Sequence, residues 1–115
     1  MNKMPPNDPE IEKTYLAYLL QKNEYIPISI ESVSTIDFYR TSHQKIYDKI
    51  IEIHKRKDVV SVTTVTIEAK DLSPEILDLE EMYISDKQNF IYLMDKLLEY
   101  SRRRKTINES IQTIE

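Results

Sequence analysis

The most restrictive feature of this chain is that none of its 115 residues is glycine. Glycine adopts positive φ readily and lets the backbone approach a ligand closely, so phosphate-cradling loops depend on it. A P-loop and a dinucleotide-binding fingerprint are therefore both excluded on this chain. Helix ends and tight hairpin turns also lose their preferred residue, so we expect Asn or Lys to take over at helix C-termini.

Composition and charge indicate one globular domain. Hydrophobic residues make up 40% of the chain and charged residues 31%, which is not the balance of a disordered protein. No apolar run approaches the roughly 18 residues that span a bilayer, and the N-terminus has no secretory signal pattern. Cysteine is absent, which excludes disulfides and thiolate metal sites and favours a cytoplasmic location. The net charge of −4 argues against a basic nucleic-acid clamp.

The C-terminal run carries a heptad seam that predicts one long helix. Up to Leu98 the apolar face is wide, as packing on a globular core requires, but after Tyr100 only the thin seam remains. A thin seam favours pairing with another helix, so we expect this second half to contact a partner. The seam residues, at alternating spacings of three and four, are Phe90, Leu93, Leu97, Tyr100, Arg104, Ile107, Ile111 and Ile114.

Start signals predict four helices. Asn7 or Asp8 can cap the first, and Thr41 with Gln44 has the spacing of a capping box for a helix through about residue 57. Ser73, followed by a proline and an acid, predicts a third, and Asp86 is the expected cap of the long C-terminal helix. The residues expected in the core of the body are Ile11, Leu16, Leu19, Phe38, Tyr47 and Ile50.

Two segments remain open at the level of the residues. Residues 25–34 alternate apolar and polar positions around Pro27, which fits either a strand or a short helix. Residues 59–67 are rich in β-branched side chains, which slightly favours a strand. Ser61 could instead cap a helix there, with Val62 and Val65 at helical spacing.

The sequence shows no legible catalytic or metal-binding pattern. If His43 and His54 share one helix, their eleven-residue separation places them about 16 Å apart, too far to share an ion. We expect His43 to make a hydrogen bond in the first turn of its helix. The adjacent acids Glu80 and Glu81 belong to a solvated acidic run, so no catalytic residue is expected.

The densest basic block is Arg102, Arg103, Arg104 and Lys105. Contact with phosphate through Arg102, Arg103 and Lys105 is a hypothesis that helix geometry disfavours, because consecutive helical positions point in different directions. The simpler interpretation is a solvated helix on which Arg104 reaches across a helix pair to an acid. The interface hypothesis accordingly rests on Tyr100, Arg104, Ile107, Ile111 and Ile114.

Short segments spread over the whole chain match one known family. In chain order they are Pro5-Pro6, Glu10-Ile11-Glu12, Tyr15-Leu16-Ala17, Asp37-Phe38-Tyr39, His43, Ile46-Tyr47, Val60-Ser61-Val62, and the long run from Phe90 with its basic middle. With these segments the sequence resembles the N-terminal domain of bacterial and phage replicative DNA helicases of the DnaB type. The most specific match is the structural motif Asp37, Phe38, Tyr39 and His43. Ala17 stands where the family usually has glycine, and the family's Gly-Gly turn is missing.

The resemblance implies an all-α fold, including residues 59–67. The expected architecture is a compact bundle of about five to six helices, with a long C-terminal helix extending into an oligomerisation hairpin. It divides the chain into an extended lead (1–7), a globular helical body (8–99) and the start of the hairpin arm (100–115).

The resemblance also implies a non-catalytic domain. In the family this domain mediates oligomerisation, as a dimer or a hexameric collar, and docks primase and the helicase loader during DNA replication. ATP and magnesium, and most contacts with DNA, are expected only on a motor domain that this chain does not contain. The alternative is a free-standing small helical adaptor or nucleic-acid-binding factor.

Overall fold

The computed structural model describes residues 6–82 and 87–114, with side chains for 6–82 and 89–107. Within these ranges it contains helices and no strand, so the expected all-α class and helix number are confirmed. Single 3₁₀ turns cover residues 23–25, 35–37 and 70–72. The α-helices are α1 (Pro9–Gln21), α2 (Ile26–Ser32), α3 (Thr41–Lys55), α4 (Val62–Glu68), α5 (Ser73–Glu80) and α6 (Lys87–Ile114).

Helix α1 is the centre of the bundle. Its cap is Asp8, whose Oδ1 accepts hydrogen bonds from the backbone N–H groups of Glu10 (3.0 Å) and Ile11 (3.3 Å). The helix packs against α3, α5 and α6, and its residues 15–20 are all buried. A helix that is surrounded in this way buries more than the single apolar face expected of a surface helix.

Aromatic rings join the first half of α6 to this core. The Phe90 ring stacks on Tyr15 and Tyr25, with centroids 5.0 and 4.5 Å apart, and Phe38 lies 4.9 Å from Tyr47. These spacings are those of favourable aromatic pairs. Of the residues expected in the core, all are buried except Ile11, which is half-buried against it.

A chain of hydroxyl groups crosses the core. Ser29 Oγ lies 2.5 Å from Tyr15 Oη and 2.8 Å from Tyr47 Oη, and the Tyr47 hydroxyl donates to the carbonyl of Val33 at 2.8 Å. Burial raises the pKa of Tyr47 to about 12 and raises the pKa of Tyr15 as well, because an ionised phenolate would be poorly solvated there. Ser29 can serve both phenols because residues 26–32 are helical.

The slight preference for a strand at residues 59–67 is wrong. Ser61 caps α4: its Oγ accepts the N–H of Thr64 at 3.1 Å, and Thr64 Oγ1 accepts the N–H of Ser61 at 2.9 Å. Val65 is fully buried. The alternative strand had one possible partner, residues 26–30, which lie in α2; without a partner, β-propensity cannot stabilise a strand.

Three predicted helix ends differ in detail. Helix α3 has Arg40 in the N-cap position and no side-chain cap, so Thr41 is its first residue rather than its cap; Gln44 Nε2 donates to the carbonyl of Phe38 at 2.8 Å. It ends at residue 55, and Lys57 takes the left-handed conformation (φ 66°) that glycine usually fills. Ser73 is the first residue of α5 rather than its cap. The predicted cap Asp86 lies outside the described residues.

Candidate functional site

The structural motif is organised by a buried carboxylate on α1. Glu12 is 2% exposed. Its Oε2 accepts the N–H of Tyr39 at 2.7 Å, and its Oε1 lies 2.7 Å from His43 Nδ1 and 3.4 Å from the N–H of Arg40. The expected hydrogen bond of His43 in the first turn of α3 is present. A carboxylate accepts hydrogen bonds, so Glu12 holds the loop before α3 through three donors.

Asp37 links the same loop to α6. Its Oδ2 accepts the N–H of Ser34 at 2.7 Å, which closes the 3₁₀ turn over residues 35–37. Its Oδ1 accepts the hydroxyl of Ser101 at 2.6 Å, and Lys105 Nζ lies 3.7 Å away. Asp37 and Ser101 are 5% and 2% exposed, so this bond is shielded from water.

Arg104 extends the link to the N-terminal lead. Its Nη1 donates to the carbonyl of Pro6 at 2.9 Å, and its Nη2 donates to the carbonyl of Asp37 at 2.7 Å. Its guanidinium carbon is 5.5 Å from the centroid of the Tyr39 ring, within cation–π range. The sequence suggested that Arg104 reaches an acid across a helix pair; here its hydrogen bonds go to two carbonyls of its own chain.

Beyond Leu97, the described seam residues Tyr100 and Ile107 are only partly covered by the body. Leu97 is the last buried apolar residue on α6 among the described side chains. Tyr100 is half-buried, and Ile107 is 44% exposed. The backbones of Ile111 and Ile114 are helical, but their side chains lie outside the described residues.

Ile107 also borders an open surface groove. The groove has a volume of about 390 Å³, and its other lining residues are Pro6, Glu99, Arg102, Arg103 and Thr106. It lies against the exposed side of the arm rather than inside the body. A groove of this kind beside an exposed isoleucine can receive an apolar side chain from another helix.

The basic block does not form a one-sided patch. Arg102, Arg103 and Lys105 are all exposed, and successive side chains are turned by about 100° around the helix. Arg103 pairs with Glu99 at 2.5 Å, and its guanidinium lies 5.5 Å from the Tyr100 ring. Arg102 makes no ion pair within the described part of the chain. Phosphate contact by these residues remains a prediction.

Sequence reasoning missed Glu12 and Ser101. Glu12 stands in the first turn of α1, where an acid is explained by the helix dipole alone. Ser101 is an ordinary polar residue within the helical run. The one available signal was spacing: Ser101 and Arg104 follow Leu97 by four and seven positions, on the face that Leu97 buries.

Across residues 6–82 and 89–107, no three His, Asp or Glu side chains are grouped as a metal site would need. None of the helices in the described ranges is both long and apolar enough to cross a bilayer.

Comparisons with known proteins identify the family and agree with the fold. The model of the DnaB-like helicase N terminal domain family matches residues 4–86. The replicative DNA helicase DnaC of Bacillus subtilis (strain 168) is 30% identical over 92 residues, which are 78% of this chain and 20% of that protein. The replicative DNA helicase DnaB of Mycobacterium leprae (strain TN) is 32% identical over 66 residues, 57% of this chain and 11% of that protein. The chain therefore spans a fifth or less of these helicases.

The fold also matches a solved structure. The crystal structure of the N-terminal domain of DnaB helicase from Mycobacterium tuberculosis superposes with a TM-score of 0.87 and covers 96% of this chain and 86% of that one. Sequence identity between the two is 23%, so this likeness concerns the fold alone.

Proposed function

This chain belongs to the family of DnaB-like helicase N-terminal domains, and from that premise we propose that it is a non-catalytic assembly module of a replicative DNA helicase. It associates with further copies through the arm, residues 100–115, and the assembled domains dock primase and the helicase loader. Unwinding and ATP hydrolysis belong to a motor domain, because a chain without glycine offers no P-loop. Magnesium and most DNA contacts belong there too.

The observation that carries this proposal is the exposure of Ile107 on a helix that extends beyond the apolar core of the body. Helix α6 has 28 residues, so it is about 42 Å long at about 1.5 Å per residue. Its last buried apolar side chain among the described residues is Leu97, and the helix continues to Ile114. A helical segment of about 15 residues is marginal in water without tertiary contacts, so a partner helix would stabilise the arm.

DNA binding by this domain alone is less well supported. The chain carries a net charge of −4, and salt-dependent DNA binding needs several free cations on one surface. Arg103 is paired with Glu99, and Lys105 faces Asp37. Two of the three exposed residues of the basic block are therefore already paired within the chain.

The test is the self-association of an Ile107→Lys variant. Full burial of an isoleucine is worth about 1.5–3 kcal/mol, and 44% of this side chain remains to be buried, which gives about 0.7–1.3 kcal/mol per copy. A symmetric dimer buries two such isoleucines, so the substitution reduces the free energy of dimerisation by about 1.3–2.6 kcal/mol. That corresponds to a dimer weakened by roughly 10- to 70-fold.

Sedimentation equilibrium over a concentration series measures this change. Ile67→Lys is the matched control, because it makes the same substitution at another exposed isoleucine, on α4 and outside the arm. We expect Ile67→Lys to associate like the unmodified chain within a few-fold. Equal dissociation constants for the two variants would show that the seam does not mediate assembly.

A further inference from the structure

We propose that Asp37, Ser101 and Arg104 form a lock that fixes the direction in which the arm leaves the body. The three residues come from the loop before α3 and from α6, and Arg104 also holds the lead at Pro6. When the lock is closed, the seam is presented at one angle. When it opens, the arm moves while the body stays folded.

The acceptor side of the lock is preorganised. Asp37 already closes its own 3₁₀ turn through the N–H of Ser34, and this bond orients the carboxylate before α6 meets it. The hydroxyl of Ser101 then donates to the other carboxylate oxygen at 2.6 Å, and both side chains are nearly buried. A short bond to a buried carboxylate is stronger than a neutral hydrogen bond, and it is sensitive to small displacements of the helix.

Arg104 defines the rotation of α6 about its axis. Its two terminal nitrogens donate to different carbonyls, 2.9 Å to Pro6 and 2.7 Å to Asp37, while the Tyr39 ring lies 5.5 Å from its central carbon. The guanidinium is planar and its donors are fixed in a fork. These three contacts can be met together in only a narrow range of helix positions.

Beyond Leu97, polar contacts of the lock, rather than apolar packing, attach α6 to the body. Ser101 and Arg104 continue the buried face of Leu97 by one and two helical turns. Polar contacts are directional and exchange with water, whereas the aromatic core around Phe90 is closed to it. A surface groove of about 340 Å³ opens beside the lock, lined by Ile36, Tyr39, Gln44 and Ile107 among others, so solvent or a partner can reach it.

Hydrogen exchange tests whether the lock holds the arm. Variants Ser101→Ala and Arg104→Ala are compared with Arg102→Ala, an exposed neighbour, at a concentration where light scattering shows monomers. We expect amide exchange over residues 100–107 to accelerate at least about 10-fold in both lock variants and to stay unchanged in Arg102→Ala. Residues 90–97 should keep their protection, because apolar packing stabilises them.

Two outcomes would overturn the lock. One is exchange over residues 100–107 that is the same in all three variants. The other is an equal loss of protection over residues 90–97, which would make Ser101 and Arg104 ordinary contributors to the stability of the body.

A distance measurement addresses direction rather than stability. The chain has no cysteine, so Glu52→Cys on α3 and Thr106→Cys on α6, both exposed, accept spin labels selectively. With Arg104 intact we expect a single narrow distance distribution, and with Arg104→Ala a clearly broader or displaced one. An unchanged distribution would overturn the proposal.

The consequence for assembly rests on the proposed function, whereas the lock itself does not. If Ile107→Lys leaves self-association intact, the proposal that the seam mediates assembly is wrong. The hydrogen-exchange and distance results would still test the lock. If the lock variants alter neither exchange nor distance, the lock is wrong whatever Ile107→Lys does. The two ideas therefore fail separately.

Discussion

Replacing Glu12 by alanine is expected to destabilise the domain by about 3–6 kcal/mol, because three hydrogen-bond donors lose their shared acceptor. The change removes an acceptor that is 2% exposed and serves the N–H groups of Tyr39 and Arg40 and the Nδ1 of His43. Those donors would remain buried or half-buried, and water could not fully replace the carboxylate.

The magnitude follows from the unequal quality of the three contacts. Two of them, at 2.7 Å, have the length of charge-assisted bonds, worth about 1.5–3 kcal/mol each, while the contact to Arg40 at 3.4 Å adds little. The sum is about 3–6 kcal/mol. A domain of this size has a total stability of about 5–15 kcal/mol, so the variant should be marginal.

Urea unfolding followed by far-UV circular dichroism measures the effect. In thermal unfolding followed by the same signal, we expect the melting temperature to fall by roughly 12–24 °C, since 1 kcal/mol corresponds to about 4 °C in a domain of this size. Glu10→Ala, on the exposed side of the same turn, is the matched control and should lose only about 0.3–1 kcal/mol of helix-dipole stabilisation. Glu12→Gln keeps one oxygen acceptor and should lie between them. A Glu12→Ala variant within 1 kcal/mol of Glu10→Ala would refute the reasoning.

Alkaline pH should destabilise the fold through Tyr47, whose pKa burial raises to about 12, whereas an unfolded phenol ionises near pH 10. Between these values the folded state binds more protons than the unfolded state, so stability falls with rising pH by up to about 1.4 kcal/mol per unit. Urea unfolding across that window should show a shallower fall for Tyr47→Phe, and parallel slopes would contradict the assignment. At the start of α4, Ser61→Ala should lose about 1 kcal/mol of stability, because its Oγ caps the N–H of Thr64. Ser61→Asp should preserve the cap in the same urea assay, and equal losses in the two variants would exclude a capping role.

Local rules predicted much of the fold. The cap at Asp8, the packing of the first half of α6 and a left-handed lysine at the end of α3 follow from spacing, capping chemistry and the lack of glycine. The same rules failed at residues 59–67, because β-propensity stabilises a strand only when a partner strand is available. They also failed at Thr41, which is the first residue of α3 rather than its cap.

The candidate site shows the limit of local rules more sharply. The seam residues Ile107, Ile111 and Ile114 were visible from periodicity, and their role in assembly remains a prediction. The partners of Arg104 were not visible, since its two carbonyl acceptors lie 67 and 98 positions away in the chain.

The sequence by itself determined an amphipathic helix pattern, the absence of a phosphate-binding loop and the family motif. Only the tertiary structure decided that Glu12 anchors that motif and that Asp37 receives Ser101. The physical reason is the difference in sequence separation between the two kinds of contact. Helical periodicity repeats every three or four residues and can be read along the chain, whereas a buried polar side chain takes whichever donor or acceptor the packing of distant helices brings within about 3 Å.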